Sequence, residues 1–150
     1  MYRNSPEAED ILLKIKENLD FYEYKIVDFK AVPQKKQTLF KLVIHHRNGI
    51  SHIDCGKVAK IIQEILDGNW YNDFAIEVSS PGIGRKIEKI EDYTIFIDKD
   101  IKVYFKKDDL DRKSGEIYTI TDVRENELVL TKNEVEISCN IDEIQKAVLV

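Results

Sequence analysis

Apolar residues recur at two different periods along this chain. Ile11, Leu12, Ile15 and Leu19 form one stripe at helical spacing. A start signal precedes it: Ser5 caps, Pro6 suits the first helical position, and Glu7, Glu9 and Asp10 face the positive end of the helix dipole. A helix ending near residues 18–20 is predicted. Residues 21–31 and 39–46 are rich in β-branched, aromatic and aliphatic side chains and predict two strands. The polar stretch 32–38 between them predicts a hairpin loop. Arg47-Asn48-Gly49 is a turn. A second helix is predicted over residues 50–66 from Ile53, Val58, Ile61, Ile62, Ile65 and Leu66. Ser51 and Asp54 stand at capping-box spacing at its start, and Asp67-Gly68-Asn69 predicts its end. Phe74, Ile76 and Val78 then alternate with Ala75, Glu77 and Ser79 as a half-buried strand. The order helix, strand, strand, helix, strand predicts one sheet with both helices on one face.

Beyond a transition at residues 90–93 the pattern changes. Short strands are predicted at 101–105, 115–123, 127–130, 135–139 and 147–150, with a single helical turn at 141–144. Short strands so closely spaced predict a small closed barrel. Its long first hairpin loop, residues 106–114, is free for recognition. The chain therefore reads as two domains, 1–91 and 92–150.

Composition supports a folded protein. At 43% apolar and 34% charged, the 150 residues can bury a core and do not resemble a disordered chain. No apolar run approaches the roughly 18 residues of a membrane span. The first six residues lack the apolar core of a signal peptide. Cys55 and Cys139 form no CxxC pattern and read as reduced thiols of a cytoplasmic protein. The net charge of −5 is unevenly placed. Residues 1–90 hold 14 Lys and Arg against 13 Asp and Glu, whereas residues 91–150 hold 9 against 15. A nucleic-acid footprint is basic, so an acidic second domain fits a basic protein partner better. The same acid excess also serves solubility.

The candidate chemistry gathers at residues 77–86, Glu-Val-Ser-Ser-Pro-Gly-Ile-Gly-Arg-Lys. A strand end here delivers the Ser79 and Ser80 hydroxyls, a turn set by Pro81 and Gly82, and the cations Arg85 and Lys86, with Lys89 close behind. Gly82 and Gly84 can both take positive φ. Such a loop can offer backbone N–H groups to an anion, although ordinary turns share its composition. Lys35 and Lys36 can reach phosphate from a hairpin tip or stay solvated. Trp70 and Tyr71 can stack on bases, or, for the Trp, plug a core. His45, His46 and His52 do not make a metal site, because neighbouring strand residues face opposite ways and no tetrahedral ligand set completes them. Asp108, Asp109 and Asp111 resemble a calcium loop, but the Gly and distal Glu of that pattern are misplaced. A nucleophilic role for Ser79 or Ser80 lacks both a Gly-x-Ser-x-Gly elbow and a placed His base. No catalytic residue and no cofactor are expected.

Glu77-Val78-Ser79-Ser80-Pro81-Gly82 followed by Arg85 resembles the hallmark of the RimP family of bacterial ribosome maturation factors. The strand at 22–29, the segment 50–66 with Asp54-Cys55, and the ending 141–150 are similar to family patterns as well. Three positions depart: Gly84 where the family usually has Asp, Lys86 where it usually has Pro, and His45 in place of an Asp. The resemblance implies an α+β fold, with a KH-like or ferredoxin-like N-terminal domain and an SH3-like (Sm-like) β-barrel. It implies a cytoplasmic, non-catalytic factor, acting as a monomer, that binds immature small (30S) ribosomal subunits and the basic ribosomal protein S12. Ser79, Ser80, Arg85, Lys86, Lys35 and Lys36 are then candidates for rRNA or subunit contact. Asp108, Asp109 and Asp111 are candidates for the S12 contact. The alternative is a general RNA-binding module with no tie to the ribosome, against which stands the lack of a strongly basic domain or an RRM-like aromatic arrangement.

Overall fold

The first helix, α1 (Pro6–Phe21), begins as its sequence dictates: the Ser5 hydroxyl accepts the Ala8 N–H at 3.2 Å. This is a computed structural model describing residues 4–150; Met1–Arg3, the start of the stretch read above for a signal peptide, lie outside the described residues. The chain divides into two compact units that part between Pro81 and Gly82.

In the first unit α1 runs on through Phe21, and β1 (Lys25–Pro33) starts later than the aromatic run predicts. Glu23 takes φ 63°, and the Tyr24 N–H bonds back to the Leu19 carbonyl at 3.1 Å, closing the helix. Phe21 and Tyr22 are exposed here and pack edge-to-face on each other. β2 (Thr38–His45) pairs antiparallel with β1 and parallel with β3 (Phe74–Ser79), so β2 is central. The parallel pairing requires a crossover, supplied by α2 (His52–Asn69). Both halves of the Ser51–Asp54 capping box form. The predicted stop at Asp67-Gly68-Asn69 is instead the last turn of α2. Asn69 Nδ2 donates to the Ile65 carbonyl at 2.7 Å, and the Trp70 N–H to Leu66 at 2.8 Å. Ile11, Ile15 and Leu19 of α1, Val58, Ile62 and Leu66 of α2, and Phe40, Leu42 and Ile44 of β2 form one buried core. Full burial of each such side chain contributes about 1.5–3 kcal/mol.

The second unit opens with α3 (Ile90–Ile95) and continues through β4 (Asp100–Phe105), β5 (Glu116–Arg124), β6 (Glu127–Lys132), β7 (Val135–Asn140) and β8 (Ile144–Leu149). A 3-10 turn, Ile141–Glu143, precedes β8. The sheet is antiparallel with order β7-β6-β5-β4-β8. The closed barrel expected from the sequence is not found. Closure needs a ladder between the edge strands β7 and β8, and none forms among the described residues. The chain between those edges is taken up by the 3-10 turn, and β8 pairs with β4 instead. Register shifts at Tyr104/Phe105 and Ile120/Asp122 bend the strands without closing them. Residues 82–91, read above with the first domain, pack with the second unit for a specific reason. The Gly84 N–H bonds Leu149 O at 2.9 Å, the Leu149 N–H bonds Arg85 O at 2.9 Å, and Ile87 N–H bonds Ala147 O at 2.9 Å. Ile87 is buried.

Candidate functional site

The predicted site residues fall into three places. The first is the segment joining the units. β3 ends at Ser79, and Ser79 and Ser80 are exposed. A four-residue turn follows, with the Arg85 N–H donating to the Gly82 carbonyl at 3.3 Å. Its third position, Gly84, takes φ 85°, the conformation that favours glycine. Gly82 does not take positive φ, and a Cβ there would meet open space. Ile83 stands 91% exposed at the tip. Lys86 is exposed and forms a bridge to Val148 at the edge of β8, while Arg85 is half-buried. On β3 itself Glu77 pairs with Lys41 of β2 at 3.5 Å.

The second place is the far end of the first unit. Lys35 and Lys36 lie exposed on the β1–β2 loop, which closes through the Gln34 N–H to Gln37 O bond at 2.8 Å. The Thr38 N–H bonds Asp73 O at 2.9 Å and draws the α2–β3 loop alongside. An open cleft results, lined by the two lysines, Gln34, Gln37, Tyr71 and Asn72. Tyr71 is 98% exposed. Trp70 points the other way, half-buried edge-to-face on Phe40 at 5.0 Å. The two adjacent aromatics thus divide between core plug and surface, which their sequence left open.

The third place is the β4–β5 loop. Asp108, Asp109 and Asp111 are all exposed, but two of them are occupied in shaping the loop. Asp108 accepts the Ser114 hydroxyl at 2.6 Å and the Ser114 N–H at 3.2 Å. These bonds, the hydroxyl first, hold its carboxyl below the usual carboxylate range. Asp109 Oδ1 accepts the N–H groups of Asp111 and Arg112 at 2.9 and 2.8 Å. Arg112 pairs with Glu143 and donates to the Ser138 carbonyl at 2.6 Å, pinning the loop to the end of β7. Leu110, 93% exposed, and Asp111 are thereby presented outward beside a groove lined also by Val135 and Ile137. Sequence alone missed Arg112; its only signal was a lone arginine among aspartates.

One polar cluster outside these places was not singled out. The Tyr24 hydroxyl donates to Asp54 at 2.6 Å, and Asp54 also accepts from Ser51. Hydrogen bonding from Tyr24, then from Ser51, lowers Asp54 to about 2; the same bond and burial raise Tyr24 to about 12. Tyr24 also meets His46 edge-to-face at 5.3 Å. His45 is buried. Among the described residues no group of His, Cys, Asp and Glu is arranged to hold a metal ion. Cys55 and Cys139 are free thiols, Cys139 buried. Among the described residues no helix is long and apolar enough to cross a membrane.

Residues 14–84 match the RimP N-terminal domain family. The match spans the α1–β1–β2–α2–β3 layer almost whole and ends at Gly84, within the turn that joins the two units. These 71 of the 150 residues place the likeness in the first unit, which is similar to the RimP N-terminal domain.

Proposed function

We propose that the protein is a cytoplasmic, non-catalytic assembly factor for the small ribosomal subunit, binding immature particles and the basic ribosomal protein S12. The observation that carries this reading is the match of residues 14–84 to the RimP N-terminal domain. In this reading Lys35, Lys36, Ser79, Ser80, Arg85 and Lys86 approach rRNA, and Pro81 and Gly82 set the exit of β3. The second unit acts as an SH3-like module whose sheet order β7-β6-β5-β4-β8 and 3-10 turn support the comparison. Its acid excess, 16 Asp and Glu against 12 Lys and Arg over residues 82–150, supports a basic protein partner. The S12 contact centres on Asp111 and Leu110, which the Asp108 and Asp109 bonds hold outward.

Pull-down of S12 by the full chain tests this contact. Asp111→Asn with Leu110→Ala is expected to weaken capture about tenfold, a loss that salt deepens for the wild type as well. Failure of the intact protein to bind S12 overturns this part of the reading. The alternative, a general RNA-binding module, draws support from exposed Tyr71 beside Lys35 and Lys36. It requires tight binding to free single-stranded RNA with no preference for ribosomal particles.

A further inference from the structure

Two lysines in the acidic second unit approach one tyrosine, and a third lines a cleft beside it. In β4 the buried residues Ile101, Val103 and Phe105 alternate with Lys102 and Tyr104, which therefore lie on the outer face of the sheet. Tyr104 stands opposite Lys146 of β8, and Lys102 opposite Val148. Lys86 bridges to the same Val148. The ammonium groups of Lys102 and Lys146 lie 6.0 and 5.8 Å from the Tyr104 ring centroid. Lys86, Tyr104, Gln145, Lys146 and Glu88 line an open cleft of about 530 Å³.

Charge is the first telling feature. Among the described residues none of the three lysines forms an ion pair, although the unit has acid to spare. One carboxylate, Glu88, lines the cleft with two cations, Lys86 and Lys146. Two ammonium groups sharing one ring repel each other, and the ring's negative face offsets that only in part. An anion between them relieves it. The second feature is the ring. Tyr104 is half-buried, so its position is fixed while part of it stays accessible. Its neighbour Gly115 has no side chain to cover the ring: even a Cβ there would stand 3.7 Å from Tyr104 Cε1. Fixed cations around an accessible aromatic are what single-stranded nucleic acid needs, phosphates on the lysines and a base on the ring.

We infer that Lys86, Lys102, Tyr104 and Lys146 form a contact site for single-stranded RNA on the second unit. Lys102, Tyr104 and Lys146 gain a role that their sequence positions did not suggest. Lys86, a candidate for rRNA contact from its sequence, joins them. The inference rests on the ribosomal reading for the source of the RNA, and it gives that RNA a place other than the Leu110–Asp111 tip of the β4–β5 loop.

The test is fluorescence anisotropy with a labelled decauridylate and the full chain, at about 50 and about 200 mM salt. Lys102→Gln with Lys146→Gln is expected to weaken binding about tenfold and to reduce the salt slope by about 1.4, two phosphates' worth for single strands. Tyr104→Ser is expected to weaken binding about fivefold or more while leaving the slope unchanged. Circular dichroism checks that each variant is folded. Backbone amide shifts of the wild-type protein on adding decauridylate provide a readout that needs no variant, and are expected at Lys86, Lys102, Tyr104 and Lys146. Absence of RNA binding, equal binding by the double variant, or shifts confined to Lys35–Gln37 and Tyr71 overturns the site. Free RNA is the probe, so such a failure leaves particle binding to be judged separately; loss of particle preference with these shifts intact overturns the ribosomal reading alone.

Discussion

The Tyr24 hydroxyl and the Ser51 cap converge on a single carboxylate, Asp54, which ties the start of β1 to the start of α2. The sequence showed half of this. Ser51 and Asp54 at capping-box spacing are visible in one line of residues, whereas Tyr24 is 30 positions away and reaches Asp54 only through the fold. Asp54 is held at about 2, below its ordinary value near 4. A carboxylate depressed in the folded state contributes stability above its unfolded pKa, and that contribution is lost as pH falls through the folded pKa. Tyr24, raised to about 12, contributes below pH 10 and loses its contribution as pH rises through 12. Denaturation midpoints of the wild type are therefore expected to fall between about pH 5 and about pH 2, and Asp54→Asn to flatten that fall. An unchanged pH slope in Asp54→Asn would show that the Tyr24–Asp54 bond does not govern acid stability.

Among the elements, the turn from Gly82 to Arg85 is where sequence and structure diverge most usefully. Pro81, Gly82 and Gly84 announced a turn, but not which glycine it depends on. That is set by the position of the turn bond, Arg85 to Gly82, which places Gly84 at positive φ. Gly84→Ala is expected to lower stability by about 1 kcal/mol, the cost of left-handed backbone for an L-residue. Gly82→Ala is expected to stay within about 0.5 kcal/mol. Urea titration of both variants distinguishes them, and equal losses would contradict the assignment of the turn. Helix stops were less legible. Asp67-Gly68-Asn69 reads as an ending, but Trp70 packs on Phe40 and its N–H extends the α2 ladder. The aromatic run at Phe21 and Tyr22 reads as strand by propensity, yet it caps α1 because Glu23 turns the chain at positive φ. In the first case a contact from outside the segment outweighs local preference; in the second the backbone turn at Glu23 does.

Across the whole molecule, the α-β-β-α-β order was written in hydrophobic period and was readable. Barrel closure was not, because short strands look alike whether or not the outermost two pair; here β7 and β8 remain edges. The division of charge was readable as a count but not as a pattern in space. The second unit is acidic overall, yet Lys102 and Lys146 lie over Tyr104 and Lys86 lines the cleft beside it, while Leu110 and Asp111 stand outward on the β4–β5 loop. A unit so arranged can meet a basic protein and RNA with different surfaces, through contacts weak enough to release. Transient attachment of this kind suits a maturation factor. Co-sedimentation of the full chain with immature and with mature small ribosomal subunits tests that most directly. Preferential binding to the immature particle, weakened by salt, is the expected result; equal binding to both particles, or binding to neither, would contradict it.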